Sequence, residues 1–226
     1  MLLGLTWGLA IAIVTASRRK GLNQMTALLG FIGPLIARTP INIKHPERIN
    51  QNRPAVFIFN HQSGLDPIIL CRVIRRDIIG MAKVELRRNP ILGPLLWFGE
   101  TIFVDRKDAE KRQAAYGPAV DALSRGRSIA ISPEGTRTHN NQLGEFRAGA
   151  FRIAKAANVP VVPIVIYNAG QRLGAKSIKL YPGTIDVEVL QPINPSHFVD
   201  PLAASRHTRS LYQQSLERYE NQASQS

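Results

Sequence analysis

Six short apolar runs, set between longer segments of helical character, restrict what this sequence can fold into. They are Ala55–Phe59, Ile78–Ala82, Thr101–Asp105, Ser128–Ser132, Val161–Tyr167 and Thr184–Val189. The first, Ala55-Val56-Phe57-Ile58-Phe59, is apolar at every position and rich in β-favouring side chains, which is how a strand buried on both faces reads. Helices are expected from Asp66 through Ile74, over 109–125 with a kink at Gly117-Pro118, over 149–157 and over 203–220. Pro67 suits a first helical turn and Asp66 a cap. Strands alternating with helices predict an α/β fold, a mixed and largely parallel sheet covered by helices. The prolines of Val159-Pro160-Val161-Val162-Pro163-Ile164 cannot donate to a ladder, so this strand is expected at a sheet edge or beside a groove.

Before that domain lies apolar sequence of a different kind. Residues 1–17 carry no charge, and Arg18-Arg19-Lys20 follow at once. As a helix this stretch is about 25 Å long, short of a hydrocarbon core of about 30 Å. A second run, Met25 to Ala37, is about 20 Å long and contains Pro34. A helix pair lying in one leaflet fits both lengths, with the cations at anionic head groups on the cytoplasmic face. A cleaved signal peptide lacks its positive leading region here, and ordinary core helices are the other reading. The expected organisation is a membrane-associating helical segment over 1–40, a catalytic domain over 41–220, and a frayed tail over 221–226.

Charge narrows the partners. In 226 residues, 29 Lys and Arg face 16 Asp and Glu, a net charge of +13. The surplus is concentrated in residues 1–50 and 111–160, beside the apolar N-terminus and around the motif-rich middle. Such an excess calls for anionic partners: a lipid surface, a phosphorylated substrate or nucleic acid. Aromatic residues make up only 7% and no nucleic-acid motif occurs, so nucleic acid is not expected. One cysteine, Cys71, excludes an internal disulfide. His45, His61, His139, His197 and His207 lack metal-ligand spacing, and no Gly-x-Ser-x-Gly elbow is present.

Four segments carry chemistry-bearing residues. His61 and Asp66 stand five apart where a strand gives way to a helix. A carboxylate on one imidazole nitrogen would fix the tautomer and leave the other nitrogen to take a proton from an alcohol. Pro133-Glu134-Gly135-Thr136-Arg137 follows a strand and offers turn amides, a hydroxyl and a guanidinium, a set that suits a phosphate. Phe103 to Arg106 ends another strand with an arginine, and Val159 to Ile164 is the proline-containing strand. Each also has a plain structural reading: a helix-capping Asp, a tight turn, a surface ion pair, a core strand.

Taken in this order, the four resemble the motifs of the glycerolipid acyltransferases of the 1-acylglycerol-3-phosphate acyltransferase type. Asn60-His61-Gln62-Ser63-Gly64-Leu65-Asp66 matches the family's Asn-His-x-x-x-x-Asp, Phe103 to Arg106 its Phe-x-x-Arg, and Glu134 to Arg137 its Glu-Gly-Thr-Arg. Phe146-Arg147-Ala148-Gly149-Ala150-Phe151 is similar to its Phe-Lys-x-Gly-x-Phe, with Arg147 for Lys, and Thr138 stands where many members have Ser. The likeness covers roughly residues 20–195, and because it includes chains fused behind a phosphatase-like domain it leaves room for sequence upstream of Met1. It implies transfer of an acyl group from a thioester donor, acyl-CoA or acyl-carrier protein, to a lysophospholipid acceptor, with no metal and no cofactor. His61 would be the base and Asp66 its orienter. Asn60, Ser63, Gly64, Phe103, Arg106, Glu134, Gly135, Thr136 and Arg137 would line the substrates. Glycerol-3-phosphate or another lysolipid as acceptor, and a catalytically silent lipid-binding relative, remain as alternatives.

Overall fold

The computed structural model describes residues 2–137, 142–174 and 177–224. Thr138, His139 and residues 225–226 of the expected tail lie outside them. In chain order the elements are α1 (Leu2–Val14), α2 (Arg18–Ile36), β1 (Ile41–Lys44), α3 (Glu47–Gln51), β2 (Val56–Phe59), α4 (Asp66–Ile74) and β3 (Ile78–Lys83). They continue with α5 (Leu92–Phe98), β4 (Ile102–Val104), α6 (Ala109–Ala114), α7 (Tyr116–Ser124), β5 (Ser128–Ile131), α8 (Gly149–Ala156), β6 (Val161–Ile166), α9 (Ala169–Arg172), β7 (Ile185–Val189) and α10 (Pro201–Ala223). The strands form one sheet in the order β1-β7-β6-β2-β5-β3-β4, and every neighbouring pair is parallel except β6 and β7.

The six runs all became strands; β2 and β6 are buried on both faces, whereas β7 alternates, with Asp186 and Glu188 on its less buried face. On β2 the side chains alternate between two cores. Phe57 and Phe59 join Ile69, Val73 and Ile74 of α4 on one face. Val56 and Ile58 join Leu123 of α7, Phe151 and Ile153 of α8, and Tyr212 of α10 on the other. The chain therefore leaves β2 over one face of the sheet and leaves its neighbour β5 over the opposite face. Such divergence opens a crevice at the carboxyl ends of the two strands, where α/β folds hold their ligands.

Three local expectations need correction. Asp66 is not a cap: Leu65 holds that position, and the Asp66 side chain turns back toward the preceding loop while Pro67 sits in the first turn. The 109–125 helix breaks at Ala115 into α6 and α7, so that Pro118, which has no N–H, falls in a first turn where none is needed. The proline strand is not at an edge; β6 lies between β7 and β2. Pro163 is tolerated there because the β6–β7 ladder is irregular beside it. Ile164 pairs with Val189, whereas the Val161–Ile193 bridge would place Leu190 opposite Ile164 in an unbroken register. The one-residue offset lies opposite Pro163, whose carbonyl still accepts from Leu190 N–H at 2.9 Å. At the C-terminus, α10 is capped by Asp200, which accepts from Ala203 N–H at 2.7 Å, and it runs through Ala223.

The N-terminal helices are docked by small residues. Added Cβ atoms at Gly21, Gly30 and Gly33 would lie 2.3 Å from the Gly8 carbonyl, 2.5 Å from the Cys71 backbone and 2.5 Å from Ile68. So α2 packs on α1 at one end and on α4 at the other, burying Leu22, Met25, Thr26 and Pro34. Arg18 and Arg19 begin α2 and bond within the protein. Arg18 stacks on Trp97 at 4.7 Å and donates to the Trp97 and Phe98 carbonyls, and Arg19 pairs with Asp77 at 2.6 Å. Arg18, Arg19 and Lys20 are all exposed at this end of α2. Trp7, Ile13, Val14, Phe31, Leu35 and Ile36 are exposed apolar side chains on the same two helices. Among the described residues, no helix is long and apolar enough to cross a membrane.

Close backbone contact at Gly30 has a measurable consequence. Gly30→Val should destabilise the fold by about 1–3 kcal/mol, a drop of about 2–10 °C in Tm, because a backbone segment cannot move aside for the new side chain. Gly117→Ala, whose Cβ would meet nothing within 4 Å, should leave Tm unchanged or higher. Thermal unfolding followed by circular dichroism checks both, and equal behaviour of the two variants would contradict the packing account.

Candidate active site

Strand β2 ends at Phe59, and the next seven residues build a compact loop around one carboxylate oxygen. Asp66 Oδ2 accepts from His61 Nδ1 at 2.5 Å and from the Gln62 and Ser63 backbone N–H groups at 3.0 Å each. Asp66 is fully buried, at 0 % exposure. An oxygen that accepts from two amides suits the ring as an acceptor as well, which favours the tautomer with its proton on Nδ1 and a lone pair on Nε2. The His61 side chain keeps 25 % of its surface, so part of the ring is open to the outside.

Glu134 joins this loop to the one after β5. Its Oε1 accepts from His61 N–H at 2.8 Å and its Oε2 from Gly144 N–H at 2.7 Å. One buried carboxylate thus spans the crevice between the carboxyl ends of β2 and β5. Gly135 follows with φ +74°, a left-handed turn that glycine adopts without steric cost. Its carbonyl accepts from Arg106 Nη1, which brings in the end of β4. Burial, and then the nearby charge of Arg147, push the Arg106 guanidinium below its ordinary pKa. Arg147 was quoted in the motif reading without a site role; its guanidinium packs against Gly135 from the segment leading into α8, within 3.5–3.6 Å of where a Cβ would stand. Two like charges lie close together here, with Glu85 as the carboxylate that acts on Arg106, an arrangement that suits an anion. Thr136 and Arg137 continue on the exposed limb of the same loop.

The fold therefore gathers His61, Asp66, Arg106, Glu134 and Gly135 at the carboxyl ends of β2, β5 and β4, but several expected substrate contacts also bond within the protein. Asn60 is buried, and its amide donates to the Ile166 carbonyl at 2.7 Å and accepts from Ile166 N–H at 2.8 Å, clamping β2 to β6. Ser63 is buried too; its hydroxyl donates to the Leu173 carbonyl at 2.7 Å and accepts from Leu65 N–H at 3.1 Å. Glu134 holds loops together by the bonds above. Phe103 lies within β4, half-buried. Gly64 is exposed, and its N–H has no acceptor among the described residues. Nor do those residues hold any group of three or more His, Cys, Asp or Glu side chains placed for a metal ion.

Comparison with known proteins agrees with this geometry. The Acyltransferase family model matches residues 40–167, more than half of the chain and the whole stretch from β1 to the end of β6. The 1-acyl-sn-glycerol-3-phosphate acyltransferase of Escherichia coli strain K12 is 28% identical over 194 residues, which cover 84% of this chain and 77% of that protein. The human 1-acyl-sn-glycerol-3-phosphate acyltransferase beta is 32% identical over 155 residues, 68% of this chain and 56% of the relative. Among solved structures, the 1-acyl-sn-glycerophosphate acyltransferase PlsC of Thermotoga maritima superposes with a TM-score of 0.79, covering 97% of this chain and 95% of that one at 19% identity. The fold is shared across nearly the whole length, and the family match falls on the residues that form the dyad and its two flanking loops: this chain belongs to the acyltransferase family.

Proposed function

We propose that this acyltransferase moves a fatty acyl group from acyl-CoA or acyl-carrier protein to the free hydroxyl of 1-acylglycerol-3-phosphate, giving phosphatidic acid. The observation that carries the reading is the 2.5 Å His61–Asp66 bond together with Arg106 and Arg147 beside the Gly135 turn. Nε2 takes the hydroxyl proton as the acceptor oxygen attacks the thioester carbonyl, and Asp66 holds the ring in the tautomer that makes this possible. The tetrahedral intermediate collapses with loss of the thiolate, which takes the proton from the imidazolium. Arg106, Arg147 and Arg137 hold the acceptor phosphate by charge-assisted bonds. Of the loop amides, those of His61, Gln62, Ser63 and Leu65 are already bonded, which leaves Gly64 N–H to donate to the oxyanion.

Transfer in one step, without an acyl-enzyme, is favoured by the state of the two side chains that could compete as nucleophiles. Ser63 spends its hydroxyl proton on a backbone carbonyl. Cys71 is inside α4, where burial pushes its thiol up to about 12, so thiolate is scarce at neutral pH. The alternatives within the family are other acceptors, glycerol-3-phosphate or a different lysolipid.

Membrane association at a cytoplasmic face belongs to the same proposal. The exposed apolar side chains sit on α1 and α2, and α2 docks on α4, the helix that starts at Asp66, so a bilayer gripping the pair would lie close to the loop that receives the acyl chains. Substrates drawn from the lipid surface then meet the site at high local concentration.

A kinetic series tests the chemistry. His61→Ala should lower kcat by at least about 10³-fold with the fold intact, and Asp66→Asn by roughly 10²–10⁴-fold through the wrong tautomer. Arg106→Ala and Arg137→Ala should each raise the acceptor KM about 10–100-fold and leave the donor KM alone. Run against a panel of lyso-acceptors with both donor types, the series also selects the acceptor. Near-normal turnover in His61→Ala sinks the mechanism, and a shift confined to the donor KM reassigns the arginines.

A paired substitution tests the surface. Ile13→Asp with Phe31→Asp should abolish flotation with vesicles containing anionic phospholipid and leave Tm unchanged, since both side chains are exposed. Activity on long-chain acceptors should fall, and activity on short soluble ones should persist. Lys20→Glu should weaken binding in a salt-sensitive way, by roughly 1 kcal/mol or more. A double variant that floats like the parent and serves both acceptors equally would show that these helices do not contact lipid.

A further inference from the structure

The seam between β2 and β6 changes character just before His61. In the register that pairs Ile58 with Pro163 and Phe59 with Ile164, a direct parallel rung joins Ile164 N–H to the Ile58 carbonyl. The hydroxyl of Tyr212 lies on that rung. It accepts from Ile164 N–H at 3.0 Å, donates to the Ile58 carbonyl at 2.9 Å, and stands 3.0 Å from the Ile164 carbonyl. Tyr212 comes from α10, far along the chain, and is fully buried with its ring edge-on to Phe146 at 5.1 Å. Beyond it, the Asn60 amide engages both the N–H and the carbonyl of Ile166. Two successive links at this end of the seam therefore include side chains, and His61 is the next residue.

From this we infer that Tyr212 is a positioning residue: its hydroxyl is a spacer that sets the separation of β2 and β6 and thereby where Asn60 and His61 stand relative to the rest of the site. The inference rests on the proposed role of His61 as base. A hydroxyl both donates and accepts, so a single group serves an amide of β6 and a carbonyl of β2 at once and ties both to α10. A phenylalanine ring would fill the same space without the bridge. The seam then loses the link that fixes both strands to the helix, and the platform under Asn60 and His61 moves. Displacement of a base by a fraction of an ångström is costly because proton transfer and attack share one transition state. The same seam explains why the chain tolerates Pro163 here: the β2 side of that residue requires no N–H from it, and Ile164, the next donor, is met by the tyrosine.

The experiment compares Tyr212→Phe with Tyr219→Phe. Tyr219 also sits on α10, and its hydroxyl donates to Asp186 of β7 at 2.8 Å, away from the β2–β6 seam. Tyr219 also accepts from Asn168 Nδ2 at 3.3 Å, so each variant loses a hydroxyl of the same helix that both donates and accepts. Assayed where circular dichroism shows both fully folded, Tyr212→Phe should lose roughly tenfold or more in kcat with both KM values within twofold, and the acid limb of its kcat–pH profile should move. Tyr219→Phe should keep the parent kcat and profile. Full kcat in Tyr212→Phe, or an equal loss in both variants, overturns the proposal. If Tyr212→Phe melts below the assay temperature, Asn60→Asp reads the same seam, since it keeps the acceptor for Ile166 N–H and loses the donor to the Ile166 carbonyl; a parent-like kcat there overturns it as well. His61→Ala in the same series separates the two ideas. If it remains active, the base assignment fails; if it is dead while Tyr212→Phe is fully active, only the spacer fails.

Discussion

One carboxylate oxygen organises the functional edge of this molecule. Asp66 Oδ2 holds the His61 ring and two backbone amides at once, so the same atom that fixes the imidazole tautomer also folds the loop presenting it. Full burial makes those three bonds obligatory, because an ionised carboxylate without partners in the interior is strongly unfavourable. The spacing of five between His61 and Asp66 follows from this: it is the length of loop that can curl back over the first residue of a helix.

Around that atom the fold places connections made by side chains where backbone alone would not reach. Glu134 spans the crevice between β2 and β5, Arg106 ties the end of β4 to Gly135, and Asn60 clamps β2 to β6. These residues carry motif identity, yet their contacts are within the protein. A motif position can be demanded by the scaffold of a site as strictly as by the substrate, and Asn60, Ser63 and Glu134 are of that kind. What keeps exposure here is small: part of the His61 ring, Gly64, Thr136 and Arg137.

Much of this was legible in the sequence because it depends on local pattern. Continuous apolar runs such as Ala55–Phe59 can only be doubly covered strands, so the sheet was readable, as was the pairing of His61 with Asp66. The missed pieces depend on contacts distant in sequence. β1, α3, α5 and α9 have four to seven residues each, too few to display a period. The central place of β6 was hidden because Pro163 reads as an edge signal, and only its offset ladder with β7 removes the need for its N–H. The bonds of Arg18 and Arg19 within the protein were hidden too, because Trp97, Glu100 and Asp77, the groups that engage them, lie more than fifty residues on. Tyr212 gave no signal at all, being one of two tyrosines on an amphipathic helix.

The account turns on Asp66 presetting His61 as a proton acceptor, and the tautomer can be observed directly. In protein carrying ¹⁵N-labelled histidine, at a pH above the titration of the ring, nitrogen shifts and couplings report which nitrogen bears the proton. The predicted result for His61 is a protonated Nδ1 and a bare Nε2, with that preference lost in Asp66→Asn. A His61 protonated on Nε2 in the parent protein would contradict the account, because the nitrogen facing the acceptor would then have no lone pair with which to take its proton.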